Sequence, residues 1–176
     1  MLVFIFYKLN VSCYNPGTLT PFLMFESMVG QSVPGFSAKS TSGYPVSPVD
    51  LKGKWVVLYF YPKDDTPGCT KEACAFRDQK KEFDKRDMVV YGVSVDDFDS
   101  HQKFIKKHDL NFPLLADPDH VVAEAFGVWN GKNCDRVTFL IDPEGKVAKV
   151  FPKVTPAEHA EEILKYIDTI RSDWAM

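Results

Sequence analysis

Two of the four cysteines, Cys69 and Cys74, share one polar, proline-broken segment, Tyr61-Pro-Lys-Asp-Asp-Thr-Pro-Gly-Cys-Thr-Lys-Glu-Ala-Cys74. Thr66 followed by Pro67 reads as a helix N-cap with proline at the first helical position, which puts Cys69 in the first turn. Backbone N–H groups there lack intrahelical acceptors and the positive end of the helix dipole lies close, so the position favours a thiolate and a nucleophilic role. The opposing reading is a buried, inert cysteine, but a polar loop is a poor place to hide a small hydrophobe. Five residues of helix separate Cys69 from Cys74 by about 7.5 Å along the axis and roughly 140° around it. A disulfide cannot span that in a regular helix. If the two pair, the first turns must unwind, so that the nucleophile reacts folded and is resolved after local unfolding. On spacing alone, Cys74 is also compatible with ordinary helix packing.

These residues need a frame. Trp55-Val-Val-Leu-Tyr-Phe-Tyr61 is an unbroken β-branched and aromatic run, the pattern of a strand covered on both faces, and Pro62 ends it. Ala73, Phe76 and Phe83 recur at helical spacing after the motif, and Met88–Ser94 is a second apolar strand, completing a β-α-β unit with a parallel pair. Asp99 with Gln102 resembles a capping box opening a helix that carries Phe104 and Ile105. Residues 112–116 read as a short strand, Asp117-Pro118 starts a helix and Gly127 stops it. Residues 136–141 and 146–151 flank Asp142-Pro-Glu-Gly145, which predicts an antiparallel hairpin. Thr155-Pro-Ala-Glu158 reads as a capping box before a closing helix whose stripe is Ile163, Leu164, Ile167, Ile170 and Trp174. A small edge hairpin is expected in residues 29–54, with its turn at Ser40–Gly43. The pattern is a three-layer α/β sandwich, and 176 residues with 45% hydrophobic side chains suffice for one domain. Residues 28–176 are expected to form it. Residues 1–27 read as an extension outside it, with Met24 and Met28 as alternative starts; Leu2–Tyr7 is apolar but too short for a span and lacks the flanks of an export signal. Cys13, in that extension, is assigned no role.

Pro62-x-x-x-Thr66-x-x-Cys69 resembles the peroxiredoxin active-site motif, and the fuller segment resembles that of the bacterioferritin comigratory, or Q-type, subfamily. The likeness runs over about residues 28 to 174, with Val29-Gly30 and Phe36 similar to the usual opening and Arg136–Gly145 to the usual late strand and turn. The resemblance implies a thioredoxin-like α/β/α fold with a mixed sheet. It implies that Cys69 is peroxidatic and that Thr66, Pro62 and Arg136 complete its site. These types suit the chemistry: a hydroxyl can bond thiolate and peroxide, proline shields the site from water, and a guanidinium stabilises thiolate and developing alkoxide. Glu72 matches the family's acidic position and would orient Arg136, although a carboxylate near a helix N-terminus is favourable in any case. Arg77, at helical spacing, is read as a structural or solvated cation. The sequence departs from the family pattern at Asn130–Asp135, where relatives generally carry a longer, often basic insertion. Cys134 is either an inert loop thiol or a second candidate to resolve Cys69, with Cys74 the stronger one.

The rest of the composition narrows the alternatives. Net charge is −3 and no basic stripe interleaves with aromatics, which argues against nucleic acid and anionic membranes as partners. His101, His108, His120 and His159 neighbour no cysteine in sequence and read as solvated helix histidines. Cys-x4-Cys is a weak zinc signal, no phosphate-cradling loop is present, and a thioredoxin-type exchanger would show Cys-x-x-Cys. The expectation is therefore a thiol-dependent peroxidase without metal or cofactor that reduces hydrogen peroxide and organic hydroperoxides. Cys74 forms its resolving disulfide, and thioredoxin or a similar dithiol recycles it. The rival is a peroxide-sensing switch or holdase that oxidises once without turnover. Few cysteines and a dithiol partner point to the cytoplasm, an organelle being the alternative, and Q-type resemblance implies a monomer.

Overall fold

The computed structural model describes residues 21–173. Its elements are α1 (Pro21–Met28), β1 (Lys39–Ser40), β2 (Trp55–Phe60), α2 (Pro67–Asp78), α3 (Lys80–Lys85), β3 (Met88–Ser94), α4 (Phe98–His108), β4 (Leu114–Ala116), α5 (Val121–Ala125), β5 (Val137–Ile141), β6 (Val147–Phe151) and α6 (His159–Asp173). The strands form one mixed sheet in the order β1-β4-β3-β2-β5-β6. β2, β3 and β4 run parallel, and β1, β5 and β6 pair antiparallel with their neighbours.

β2 is central because both its faces are apolar. Val56, Leu58 and Phe60 enter one core with Phe25, Phe126 and Phe139, while Val57, Tyr59 and Tyr61 enter the other with Phe76, Phe83 and Ile163. Period-two alternation along β5 places Phe139 and Ile141 on the first face and Thr138 and Leu140 on the second. Arg136, two residues before Thr138, falls on that second face. Phe60 pairs with Val137, so Arg136 arrives at the C-terminal end of β2, where α2 begins.

Several local expectations are revised. The boundary at residue 28 falls within α1, and α1 is packed: Phe25 is only 6% exposed and lies edge-on to Phe139 at 6.0 Å. Met24 lies so close to Gly127 that a Cβ there would sit 1.9 Å from its methyl carbon. Helix α1 therefore packs onto the sheet through Met24 and Phe25, because Phe25 completes an apolar surface that would otherwise face water. Residues 1–20, with Cys13 and the apolar run, lie outside the described residues. α4 is capped by Asp97, whose carboxylate accepts from the Ser100 N–H at 2.8 Å, and not by Asp99 with Gln102. The helix after Asp117-Pro118 starts at Val121, with the Asp117 carboxylate accepting the Val122 and Ala123 N–H groups. Thr155–Glu158 makes a turn ahead of α6, the Glu158 N–H donating to the Thr155 carbonyl at 3.0 Å. The edge hairpin is reduced to one bridge, Ala38 with Val46, and β1 pairs with β4 instead.

Candidate active site

Pro62 breaks β2, and the chain crosses to α2 through Lys63-Asp-Asp65. Thr66 takes extended backbone angles as N-cap, with Pro67 at the first helical position. Cys69 is the third residue of α2 and is buried. Arg136 approaches from the start of β5: its Nη2 donates to Cys69 Sγ at 3.2 Å, and its Nη1 donates to Glu72 Oε2. Glu72 follows Cys69 by three residues, so both side chains stand on one face of α2 and one guanidinium bridges them. Gly68 makes room for this: a Cβ there would lie 3.3 Å from Arg136 Nη2.

Burial dominates the electrostatics. It pushes the Glu72 carboxyl up to about 7 against the pull of Arg136, and Glu72 Oε1 has no hydrogen-bond partner. Burial opposes the charge on Arg136, but Glu72 and Cys69 beside it hold its pKa above the ordinary value. The buried Tyr59 hydroxyl, also unpartnered, is pushed well up by burial and then by the Glu72 charge, and so stays a neutral phenol.

Thr66 differs from expectation. Its hydroxyl donates to the Lys63 carbonyl at 3.1 Å, closing the turn, and makes no bond to Cys69 in this state. Pro62 is partly buried beside Tyr61. Cys74 lies on the same regular helix as Cys69 but on another side, lining a groove of about 490 Å³ between α2 and α6 with Lys71, Ala160 and Glu161. Cys69, Cys74 and Cys134 are free thiols. Cys134 is fully buried in the core on the opposite face of the sheet from Cys69, and burial pushes its pKa up to about 12, the profile of an inert thiol. Arg77 donates to Asp78 and to the His108 carbonyl, a structural cation as expected.

The histidines are corrected. His101 and His159 are buried, not solvated: His159 links Thr138 of β5 to Glu162 of α6, and burial lowers its pKa. His101 lies against Asp64 of the motif loop. The available signal was the seven-residue spacing of His101 and His108, two turns along one helix face, opposite the adjacent Asp64 and Asp65.

A buried first-turn cysteine under a guanidinium that is itself held by a carboxylate is equipped for nucleophilic attack on an electrophilic oxygen or sulfur. Residues 29–150 match the AhpC/TSA family. The chain belongs to this family of peroxiredoxins. It is 47% identical over 145 residues to the peroxiredoxin Bcp of Bacillus subtilis, spanning 78% of this chain and 92% of that one. The solved structure of peroxidoxin BcpB from Mycobacterium tuberculosis superposes with a TM-score of 0.74 at 37% identity, covering 81% and 97% of the two chains. The Xanthomonas campestris bacterioferritin comigratory protein, whose structures were solved in work on alkyl peroxide reduction, superposes at 0.71 with 36% identity over 78% and 91%. The enzyme is thus a thiol peroxidase with a thioredoxin-like fold, taking a hydroperoxide as oxidant and a thiol as reductant. Among the described residues no helix is long and apolar enough to cross a membrane.

Proposed function

We propose that Cys69 is the peroxidatic cysteine and Cys74 its resolving partner. The observation that carries this is the Arg136 guanidinium, bonded at once to Cys69 Sγ and to Glu72 at the start of α2. The thiolate sulfur attacks the terminal oxygen of the hydroperoxide and the O–O bond breaks. The alkoxide, or hydroxide from hydrogen peroxide, takes a proton from solvent and leaves as alcohol or water. Cys69 becomes a sulfenic acid, two electrons having passed from sulfur to peroxide. Arg136 stabilises both the thiolate and the charge growing on the leaving oxygen, and Glu72 fixes the plane of the guanidinium. Thr66 supplies a hydroxyl to the peroxide by releasing the Lys63 carbonyl, and Pro62 covers the sulfur from solvent.

The first turns of α2 then unwind, the Cys74 thiolate attacks the sulfenic sulfur, and water leaves as the disulfide forms. Thioredoxin or a similar dithiol reduces that disulfide and is itself oxidised. All electrons come from thiols, so the cycle calls on no metal or cofactor. Hydrogen peroxide and organic hydroperoxides are the substrates, the protein acts as a monomer away from membranes and nucleic acid, and the cytoplasm supplies the reductant. The test is a pair of variants. Cys69→Ser removes peroxide consumption altogether, whereas Cys74→Ser consumes one equivalent and then stalls with thioredoxin as sole reductant. Sustained turnover by Cys74→Ser would refute the resolving role.

A further inference from the structure

Two consecutive aspartates tie the segment between β2 and α2 to α4, one inward and one outward. Asp65, with a left-handed φ of +59°, points outward, and its carboxylate accepts from Lys107 and pairs with His108. Asp64 points inward and is 7% exposed. Its Oδ1 accepts the Tyr61 hydroxyl at 2.7 Å, and its Oδ2 accepts the Ser100 hydroxyl at 2.7 Å and faces His101 Nδ1 at 2.9 Å. Its backbone N–H donates to Asp96 Oδ2 at 2.8 Å. The His101 ring is fully buried, and its Nε2 lies 3.1 Å from the Leu115 carbonyl of β4. A carbonyl only accepts, so Nε2 carries a hydrogen. Nδ1 and the carboxylate then need a second proton between them, whichever of the two atoms holds it. Every polar atom of this pair is matched, and the set joins the motif loop to α4 and β4 at once.

What the pair restrains is the segment that handles peroxide. Asp64 lies two residues after Pro62 and two before Thr66, and α2 with Cys69 begins immediately beyond. Unwinding the first turns of α2 pulls on this segment from one end. Anchored through Asp64, residues 61–65 stay in place, the unwinding starts at Thr66, and the helix re-forms onto an unchanged loop. Resting on the assignment of Cys69 above, we propose that Asp64 and His101 are positioning residues for the peroxidase reaction. They hold Pro62 and Thr66 where the bound hydroperoxide needs them, while the nucleophilicity of Cys69 comes from α2 and Arg136.

The experiment compares two reactions of the same sulfur in a Cys74→Ser background. Stopped-flow oxidation by hydrogen peroxide requires the positioned segment; alkylation of Cys69 by iodoacetamide, followed by peptide mapping, requires the thiolate and access to the buried sulfur but no hydrogen bond from that segment. Asp64→Asn and His101→Gln are expected to slow the peroxide reaction by about 10- to 100-fold, since small misplacements at a reacting centre have effects of that order. Alkylation should stay within about twofold of the parent, as the thiolate's surroundings are intact. Ser100→Ala and Tyr61→Phe, which each remove one donor to Asp64, are expected to shift the same ratio in the same direction by several-fold and carry the test if His101→Gln does not fold. Equal slowing of both reactions, or a lowered unfolding midpoint with both rates kept, would overturn the proposal in favour of a purely structural pair. A parent protein that itself reacts no faster with peroxide than a free thiol removes the Cys69 assignment instead, and the positioning role with it.

Discussion

In the proposed cycle the buried Cys69 meets peroxide as a thiolate, and a single side chain reconciles burial with charge. Arg136 is permanently charged and forked, so it can donate to the sulfur and to Glu72 together. Arg136→Lys offers one point charge in place of the fork and is expected to lose about 100- to 1000-fold in the second-order rate with peroxide, the range seen when one preorganised donor is removed. Stopped-flow oxidation of the reduced protein measures it. Glu72 adds a pH signature. Its carboxyl titrates near 7 when folded against an ordinary 4.5, so between those values the folded protein holds a proton that the unfolded chain has released. Stability from this group is therefore present below about pH 4.5 and is lost as pH rises through 7, by about 3 kcal/mol at most. Denaturant unfolding at pH 5 and pH 8 should show that loss in the parent and not in Glu72→Gln; parallel changes in both would refute it. Cys69 and Cys74 stood out in the sequence by residue type and spacing, whereas Arg136 and Glu72 were marked only by the resemblance to the peroxiredoxin motif. The true partner of the Thr66 hydroxyl was not, since a backbone carbonyl three residues away leaves no mark on the sequence. Nor was the burial of His101, which depends on α4 and β4 closing over it.

The elements place these residues through two periodicities. Alternation along β5 turns Arg136 toward α2, and the helical repeat puts Glu72 beneath Cys69 and Cys74 around the side, toward α6. Because Cys69 and Cys74 lie in one regular helix, a bond between them demands that α2 open from its N-terminal end. Hydrogen exchange should register this: amides of residues 69–75 are expected to exchange much faster in the oxidised protein than in the reduced one, with β2 and α6 unchanged. A disulfide formed without faster exchange there would mean that the helix stays intact and that another pairing is at work. Strand identity, the β5–β6 hairpin and the start of α2 could be read from apolar runs, proline and turn residues. Helix starts elsewhere were displaced by one to four residues, because Asp97 and Asp117 cap through side-chain reach that spacing alone does not fix.

In the whole molecule, a six-stranded sheet with a core on each face separates the proposed peroxidatic thiol from the deeply buried Cys134: Cys69 and Cys134 enter opposite cores. α1 contributes to the core opposite the active site, which composition did not reveal because residues 21–28 look like the end of a tail until Phe25 meets Phe139. Phe25→Ala is expected to lower unfolding stability by about 3 kcal/mol, the usual cost of truncating a buried phenylalanine, while leaving the peroxide rate unchanged. A denaturant titration that finds no loss would return α1 to the status of an appendage. The fold, the site and the proposed cycle meet in one test: intact-mass analysis with peptide mapping after one equivalent of hydrogen peroxide, followed by thioredoxin-coupled turnover on the same sample. A Cys69–Cys74 disulfide that forms rapidly and is recycled many times is the predicted result. Slow oxidation at Cys69, a disulfide to Cys134, or oxidation that the dithiol cannot reverse would contradict it.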